Sequence, residues 1–477
     1  MSAARRPGLV LDGYVLEEKI HQGSMAEIWR VRRPEAAEPL VMKIPSFRDT
    51  DDPAALVGFE VEQMILPTLS GIHVPRFVAA GDWSVQPYIV LEHLAGPSLR
   101  ARLDATPLPP EEVASYGARI ADALHDLHGQ HVIHLDVKPS NVMFREGGAA
   151  VLIDFGLSRH DRLPDLLAEQ FRLPIGTGPY ISPEQIAQIR NDPRSDLFSL
   201  GVVLYYLATG ERPFGNPTSV RGLRQRLYRD PIPPRGLNPA CPPWLQEVIL
   251  RCLEVAPGKR YQTAAHLAFD LQHPAEVPLT GRASRLARDG ALTVLKRRLR
   301  THGEEPDLGR SASGQLSRAP LVAVALDPSQ GSEALLEALL LATRRVLETE
   351  PGARLACLTV LKTSRIAMDS ALDAEGRSVR VQLLVELRHW ARPLGLGVGR
   401  VTHHVLEAPD PGSALVEFAA ANHVDHLVVG SRGSSTLRRY LGSVSSHVVA
   451  QAPCTVTVVK APAREAAERG GGPAPPS

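Results

Sequence analysis

In residues 14–94 apolar and polar positions alternate over short stretches, a pattern typical of half-buried β-strands. The stretch that begins at Asp52 departs from this alternation. There, Asp52 can accept hydrogen bonds from free helix amides, and Pro53 suits the first helical turn. The sequence therefore predicts a mostly β region that contains one helix. The predicted strands are residues 14–20, 28–32, 40–44 and 88–91.

From residue 95 to residue 273 the apolar residues recur every three or four positions, which predicts helices. In residues 111–130 this spacing places Val113, Ile120 and Leu127 on one helical face. Residues 196–209 are apolar on all sides, which predicts a helix buried at the centre of a domain.

Residues 320–460 show a third pattern, in which apolar strands alternate with amphipathic helices, and this predicts an α/β domain with a parallel sheet. A linker over residues 274–319 precedes it. Residues 461–477 are rich in Ala, Gly and Pro and are predicted to be disordered. The predicted strands are residues 321–326, 355–361, 400–406, 426–429 and 454–459, and the predicted helices are 332–349, 377–391 and 412–422.

The composition limits the classes of protein that fit. The 477 residues are too many for a single core. The net charge of +1 argues against bulk attraction to nucleic acid or membranes as the main activity. No apolar run approaches the ~20 residues that span a bilayer, and residues 1–7 lack the apolar stretch of a signal peptide. Together with four separated cysteines, this predicts a cytoplasmic protein with no membrane span and no specific nucleic-acid partner.

Residues 134–141 and 154–156 carry the residue types that phosphoryl transfer needs. Four residues separate Asp136 from Asn141, which suits a loop whose first residue orients a hydroxyl and whose last binds metal. Asp154 follows an apolar strand-like run, where it can hold a second metal ion. Carboxylate and amide oxygens are the ligands that Mg²⁺ prefers. The spacing therefore predicts a site that transfers a phosphoryl group from ATP.

Residues 14–273 resemble the eukaryotic-like Ser/Thr protein kinases of bacteria. Each motif alone is weak, and the resemblance depends on their order over the whole region. It implies an α+β bilobal kinase fold with an N-lobe (residues 14–94) and a C-lobe (residues 95–273). The motifs are Lys43 in Val41-Met42-Lys43-Ile44, Glu62, the stretch 91–94, residues 134–141, Asp154-Phe155-Gly156, residues 176–184, Asp196 and Arg260.

The resemblance also implies a role for each residue. Asp196 is expected to anchor the backbone of residues 134–141, and Arg260 is expected to pair with Glu184. Asp136 is expected to be the catalytic base, and Lys138 is expected to reach the γ-phosphate of ATP. Lys43, paired with Glu62, is expected to contact the α- and β-phosphates. The position of Lys138 is typical of enzymes that phosphorylate a Ser or Thr hydroxyl of a protein. The implied Mg²⁺ ligands are Asn141 and Asp154, and the further ATP-binding residues are Ile20, Gly23, Ile28, Glu92 and Leu94.

The phosphate-covering turn departs from the family pattern. Of three expected glycines only Gly23 remains, because His21 and Ala26 occupy the other positions. Glycine there lets backbone amides approach phosphate, so we expect weaker ATP affinity or slower turnover. The alternative is a pseudokinase, a nucleotide-binding scaffold without phosphoryl transfer. That reading predicts losses among the catalytic and metal-binding residues, and none is lost.

The control of the enzyme also departs from the common pattern. Leu135 stands where many kinases have an arginine that receives an activation-loop phosphate. Residues 159–175 contain no Ser, Thr or Tyr, so the phosphate acceptor is missing together with its receiver. We therefore expect that phosphorylation of this loop does not switch the enzyme on. Thr177 is expected to contact Asp136 and Lys138.

Residues 320–460 resemble the universal stress protein family. In its ATP-binding members a strand-end Asp contacts adenosine, and a Gly-rich segment wraps the phosphates at a helix start. Here eight residues separate the last two glycines where nine are usual, and Pro328 replaces a small residue. ATP binding and a turn without ligand therefore both stay open. The residues concerned are Asp327, Gly430, Gly433, Gly442 and Ser443.

Stress-protein domains commonly pair through their last strand, which makes residues 454–459 the candidate edge for a homodimer. We expect the C-terminal domain to sense a signal or to dimerise the chain.

The linker is basic between residues 282 and 300, with seven basic residues against one acidic residue. Such a segment could contact nucleic acid or anionic lipid. Leu292, Leu295 and Leu299 have helical spacing and favour a short helix that docks on a domain, and no aromatic residues support stacking on bases.

Overall fold

The computed structural model describes residues 5–23, 26–35, 38–45, 53–84, 86–303, 319–328, 332–350, 352–363, 378–397, 399–431 and 442–460. The predictions for Asp52, Gly433 and residues 461–477 lie outside these ranges. The chain divides into two compact units, one before and one after the gap at 304–318, and each is described by itself. None of the described helices is both long and apolar enough to cross a bilayer.

The N-lobe is built on an antiparallel sheet. Its strands are β1 (Val10–Leu11), β2 (Tyr14–Gln22), β3 (Ala26–Arg32), β4 (Leu40–Pro45), β5 (Phe77–Ala80) and β6 (Ile89–Glu92). They lie in the order β1-β2-β3-β4-β6-β5, and one face buries Tyr14, Trp29 and Met42. The four predicted strands are confirmed. Strand β5 escaped prediction because its residues are uniformly apolar and show no alternation.

Helix α1 (Pro53–Ile65) is the predicted N-lobe helix, and it carries the buried Glu62. A Cβ atom added to Gly58 of this helix would lie 3.0 Å from the carbonyl oxygen of Gly156. A Cβ atom on Gly156 would lie 3.3 Å from the carbonyl oxygen of Gly58. The two glycines therefore let the backbone of α1 lie against the turn that follows Asp154.

The C-lobe is mainly helical, as predicted. Its helices are α2 (Pro110–Gly129), α3 (Leu166–Gln170), α4 (Pro183–Ile186), α5 (Arg194–Thr209), α6 (Val220–Leu223), α7 (Pro234–Leu237), α8 (Pro243–Cys252) and α9 (Ala264–Gln272). Helix α5 is buried along nearly its whole length, which confirms the predicted central helix. It packs closely on α2, where a Cβ atom on Gly117 would lie 2.7 Å from the side chain of Leu204.

Four short strands frame the residues with candidate chemistry. They are β7 (Val132–Ile133), β8 (Val142–Phe144), β9 (Ala150–Leu152) and β10 (Arg159–His160). Strand β7 pairs with β10, and β8 pairs with β9, both antiparallel. Residues 134–141 therefore form the loop from β7 to β8, and Asp154 lies two residues after the end of β9.

The segment after α9 is fastened to the C-lobe by polar contacts. The Thr280 hydroxyl donates to Glu247 at 2.9 Å, and Arg282 forms an ion pair with Glu247 at 3.0 Å. Two helices follow, α10 (Gly281–Ser284) and α11 (Ala291–Gly303). The predicted helix in the basic segment is confirmed as α11. Docking of its leucines is not found, because charged residues on another side of α11 contact the C-lobe and the leucines are exposed.

The second unit is the predicted α/β domain. Its elements are β11 (Leu321–Ala325), α12 (Glu333–Thr349), β12 (Arg354–Lys362), α13 (Val379–Ala391), β13 (Val401–Ala408), α14 (Pro411–Ala421), β14 (His426–Ser431), α15 (Ser443–Gln451) and β15 (Thr455–Lys460). All described pairings are parallel, in the order β13-β12-β11-β14-β15. The core between sheet and helices includes Leu358, Phe418 and Val429.

Candidate active site

The loop from β7 to β8 is held in place by Asp196 of α5, as the sequence predicted. One carboxylate oxygen accepts a hydrogen bond from the amide of His134 at 2.9 Å, and the other accepts from the amide of Leu135 at 2.8 Å. The ring of His128 also lies 2.9 Å from this carboxylate. Leu135 has φ 59°, a left-handed conformation, and its side chain is buried. Because two consecutive amides are fixed, the next residue, Asp136, has a defined direction.

Asp136 is oriented by three side chains. The Lys138 ammonium donates to one carboxylate oxygen, Oδ2, at 2.6 Å, and the Thr177 hydroxyl donates to the other, Oδ1, at 2.6 Å. The side-chain amide of Asn141 donates to the same oxygen as Lys138, at 3.0 Å. Lys138 also donates to the Thr177 hydroxyl at 3.0 Å, so the predicted contact of Thr177 with both residues is confirmed. The arrangement presents a carboxylate and an ammonium group side by side, which suits a base next to a phosphate-binding cation.

Lys43 of β4 joins two other elements of the site. Its ammonium donates to Glu62 of α1 at 2.5 Å and to Asp154 at 2.9 Å. Burial alone would lower the pKa of Lys43, yet the charges of Asp154 and Glu62 raise that pKa above its usual range. The same ammonium lowers the pKa of the Asp154 carboxyl to about 2. Lys43 and Asp154 are therefore both charged at neutral pH.

The residues predicted to hold Mg²⁺ suit that ion. Because the nitrogen of the Asn141 amide is used by Asp136, its oxygen Oδ1 is the atom left to bind a cation. This oxygen also accepts from the Ser140 hydroxyl at 3.2 Å. The Asp154 carboxylate is ionised, and 44% of its side chain is exposed, so it can offer oxygen to a cation in the cleft. Two oxygen donors of this kind fit Mg²⁺, which keeps several waters and shares phosphate oxygens.

The residues predicted to enclose ATP lie on β2, β3 and the end of β6. In the turn from β2 to β3, the amide of Gly23 donates to the carbonyl of Ala26 at 2.9 Å. A Cβ atom on Gly23 would lie 3.2 Å from that carbonyl oxygen, so the one retained glycine keeps the turn tight. Ile20 of β2 is 43% exposed, and Ile28 of β3 is half-buried opposite His21.

The side chain of Glu92 at the end of β6 has partners within the protein, which leaves the backbone for the adenine contact that the resemblance implies. Its carboxylate forms an ion pair with Arg145 of the C-lobe and accepts from the amide of Arg76 at 3.2 Å. Burial alone would raise the pKa of Glu92, but these two contacts lower it. Only the backbone of Glu92 is therefore suited to contact the adenine ring of ATP. Leu94 follows two residues later and is half-buried.

The segment from Asp154 to Glu184 is braced by an ion pair that the sequence did not reveal. The guanidinium of Arg190 donates to both carboxylate oxygens of Asp165, at 2.9 and 3.2 Å. Arg159 lies 3.7 Å from the same carboxylate, and Asp165 also caps α3 by accepting from the Ala168 amide at 3.2 Å. The only signal in the sequence was an acidic residue inside a loop without phosphorylatable hydroxyls.

The end of this segment is tied to the loop from β7 to β8. Glu184 and Arg260 form the predicted ion pair at 2.8 Å, with both side chains fully buried. Gln185, which no pattern in the sequence indicated, donates to the carbonyl oxygen of Leu135 at 2.8 Å. Leu135 and the loop without hydroxyl side chains depart from the family pattern. Both lie beside contacts that form without a phosphate group.

In the second unit the predicted ATP residues lie near one edge of the sheet. Asp327 follows β11 and Gly430 lies near the end of β14, and these adjacent parallel strands end on the same side. Gly442 precedes α15, and Ser443 is its exposed first residue. A Cβ atom on Gly430 would lie 3.1 Å from the side chain of Leu335, so the packing of α12 alone accounts for this glycine.

Two bacterial relatives resemble the first part of the chain. The serine/threonine-protein kinase PknB of Mycolicibacterium smegmatis is 33% identical over 273 residues, which are 56% of this chain and 43% of that protein. A probable serine/threonine-protein kinase of Clostridium perfringens is 30% identical over 277 residues, 58% of this chain and 40% of that protein. The chain thus spans less than half the length of either relative.

Among solved structures, the PknI kinase domain of Mycobacterium tuberculosis matches with a TM-score of 0.45 and 22% identity, covering 57% of this chain and 99% of that domain. The universal stress protein family matches residues 321–460, so the C-terminal unit is a domain of that type. The protein kinase domain family matches residues 14–272, more than half of the chain. The chain therefore belongs to the protein kinase family.

Proposed function

We propose that this protein is a non-specific Ser/Thr protein kinase, a cytoplasmic enzyme that uses MgATP to phosphorylate Ser or Thr hydroxyls of other proteins. One observation carries the proposal. The base Asp136 has its orienting partners, and Lys43 contacts both Glu62 and Asp154. A site whose charged groups already have these contacts needs little rearrangement before transfer.

In the proposed reaction, a substrate hydroxyl lies beside the Asp136 carboxylate, which accepts its proton as the oxygen attacks the γ-phosphorus. A bond forms between that oxygen and phosphorus, the bond from phosphorus to the β,γ-bridging oxygen breaks, and ADP leaves. Lys138, 2.6 Å from Asp136, neutralises charge on the transferring group. Lys43 holds the α- and β-phosphates at the other end of the cleft.

The metal sites are part of the proposal. Asn141 and Asp154 would hold Mg²⁺, and the ion would supply positive charge that neutralises the phosphate oxygens. The Asp154 carboxylate is already ionised because Lys43 lowers its pKa, so no proton needs to leave before the cation binds.

The test is transfer of label from γ-labelled ATP, with Mg²⁺ and a general protein acceptor. Wild-type protein is expected to label the acceptor, and Asp136→Asn to reduce the rate by about a hundredfold or more. Asp104→Asn makes the same chemical change at an exposed C-lobe position and is expected to keep the wild-type rate. ATP-dependent thermal stabilisation with no label in wild type would support the pseudokinase alternative instead.

The C-terminal unit is proposed to sense a signal or to dimerise the chain through β15. Strand β15 lies at the edge of the described sheet, which supports its use as a pairing strand. Analytical ultracentrifugation and labelling rates of the full chain and of a chain ending at residue 319 test this role. Identical oligomeric states and identical rates would contradict it.

A further inference from the structure

Helix α11 displays an apolar stripe to solvent. Leu292, Leu295 and Leu299 are 83%, 50% and 66% exposed. At 100° per residue they lie within an arc of roughly 60° on one side of the helix. Burying one leucine in an apolar medium is favourable, so three exposed leucines on one face indicate a surface that contacts something else.

The orientation of this stripe is fixed by contacts on the opposite side of α11. The guanidinium of Arg297 forms ion pairs with Asp230 of the C-lobe at 3.0 Å and with Asp289 at 2.8 Å. On the flank of the helix, about 90° from the stripe, the guanidinium of Arg298 lies 6.0 Å from the ring of Tyr228. Since charged side chains attach α11 to the C-lobe, the leucines face outward from it.

The charge of the helix selects the kind of partner. Residues 291–303 contain one lysine, three arginines and no acidic residue, and Lys296, next to the leucine stripe, is exposed. A second copy of α11 would bring two strongly basic helices together, which is unfavourable. Nucleic acid would satisfy the charges but not the leucines. An anionic lipid surface satisfies both, since its headgroups attract cations and its acyl region accepts apolar side chains.

We propose that α11 is a membrane-surface helix that binds anionic phospholipid. The leucine stripe enters the boundary between headgroups and acyl chains, and Lys296 contacts lipid phosphate. The contacts of Arg297 keep the helix attached to the C-lobe while it binds. This activity is independent of phosphoryl transfer, and it would bring the first unit to a membrane surface through a helix that lies in the headgroup region.

The test is co-sedimentation of the full chain with vesicles of equal parts phosphatidylglycerol and phosphatidylcholine. Wild type is expected to bind these vesicles, to bind pure phosphatidylcholine vesicles weakly, and to lose binding as salt rises. The triple variant Leu292→Ser, Leu295→Ser, Leu299→Ser is expected to bind at least about tenfold more weakly. Lys296→Glu, which leaves the leucines intact, is expected to bind the anionic vesicles at least about fivefold more weakly than wild type.

Leu341→Ser is the matched control, because Leu341 is 53% exposed in the other unit, and it is expected to bind vesicles like wild type. Far-UV circular dichroism and the labelling rate in solution are expected to stay unchanged in the triple variant. If that variant loses helix, Leu292→Ser alone, at the most exposed leucine, replaces it. Equal vesicle binding by wild type and the leucine variants would overturn the proposal. The proposal would also be overturned if the chain failed to bind vesicles and instead self-associated through these leucines. It would likewise be overturned if the chain failed to bind vesicles and instead bound DNA regardless of the leucines.

Discussion

The two candidate nucleotide sites are built in different ways. In the kinase domain each charged group contacts another side chain, often from a distant part of the chain, as Lys43 contacts Asp154 across 111 positions. In the stress-protein domain the candidate residues are mainly backbone positions, and packing against Leu335 already accounts for Gly430. A site made of paired side chains is specified by residue identity, whereas a site made of backbone depends on loop length. Taken in order, the kinase motifs are therefore strong indicators of a nucleotide site, and the glycines of the second domain are weak indicators of one.

The largest expected effect comes from breaking the centre of the paired site. Lys43→Met removes the cation that contacts both Glu62 and Asp154, and leaves two carboxylates facing each other. We expect labelling to fall by about a hundredfold to a thousandfold, because charge stabilisation of phosphate is lost. Lys259→Met, at an exposed position of the C-lobe, is the control. A rate within twofold of wild type for Lys43→Met would contradict the assigned role.

The next effect concerns the ion pair that braces the segment from Asp154 to Glu184. Asp165→Asn keeps an oxygen that can cap α3 but removes the charge that Arg190 and Arg159 contact. Removing this partly buried ion pair is expected to raise the free energy of activation by about 1.4 kcal/mol, which lowers the rate about tenfold. Asp161→Asn, in the same segment with a half-exposed carboxylate, is the control. Equal rates for the two variants would show that the segment holds its conformation without the ion pair.

A smaller effect is expected where α1 meets the turn after Asp154. Gly58→Ala places a methyl group 3.0 Å from the carbonyl of Gly156, so α1 has to shift by a few tenths of an ångström. The labelling rate is expected to fall about threefold, because Glu62 moves with the helix. Gly129→Ala at the end of α2, where a Cβ atom meets nothing within 4 Å, is expected to leave the rate unchanged.

The smallest effect on catalysis is expected from the second domain. If that domain binds ATP, equilibrium dialysis will give two ATP molecules per wild-type chain and one for Asp327→Ala. The labelling rate of Asp327→Ala at saturating ATP is expected to stay within twofold of wild type. Asp425→Ala and Asp410→Ala are not suitable controls, because Asp425 accepts from the Leu321 amide and Asp410 accepts from the Ser413 amide, each at 2.8 Å. Glu417→Ala, which removes an exposed carboxylate of α14, is the control. One ATP per wild-type chain would remove the second site from consideration.

Much of the fold could be predicted because periodicity is a local signal. The strands β2, β3, β4 and β6 and the helices α2 and α5 followed from spacing alone. The kinase motifs were also local, and their order made them specific. The brace between Asp165 and Arg190 could not be predicted, since 25 positions separate the two residues and neither has a periodic pattern.

Helix α11 shows a different limit. Its amphipathic spacing was correct, but spacing does not say which face contacts the protein. The usual rule that the apolar face packs inward failed because Asp230 and Asp289 attract Arg297 on the other side. A sequence gives the direction of such a helix only when the partners of its charges are known.

The contact between Gly58 and Gly156 also limits how this sequence can change over evolutionary time. Neither residue can gain a side chain without a shift of the facing backbone, because each Cβ atom would lie 3.0 to 3.3 Å from the carbonyl oxygen of the other glycine. A replacement at one position requires a local displacement of the helix that carries Glu62. In a set of homologues the two positions are therefore expected to covary, and a lineage that loses one glycine is expected to show altered residues around Lys43 as well.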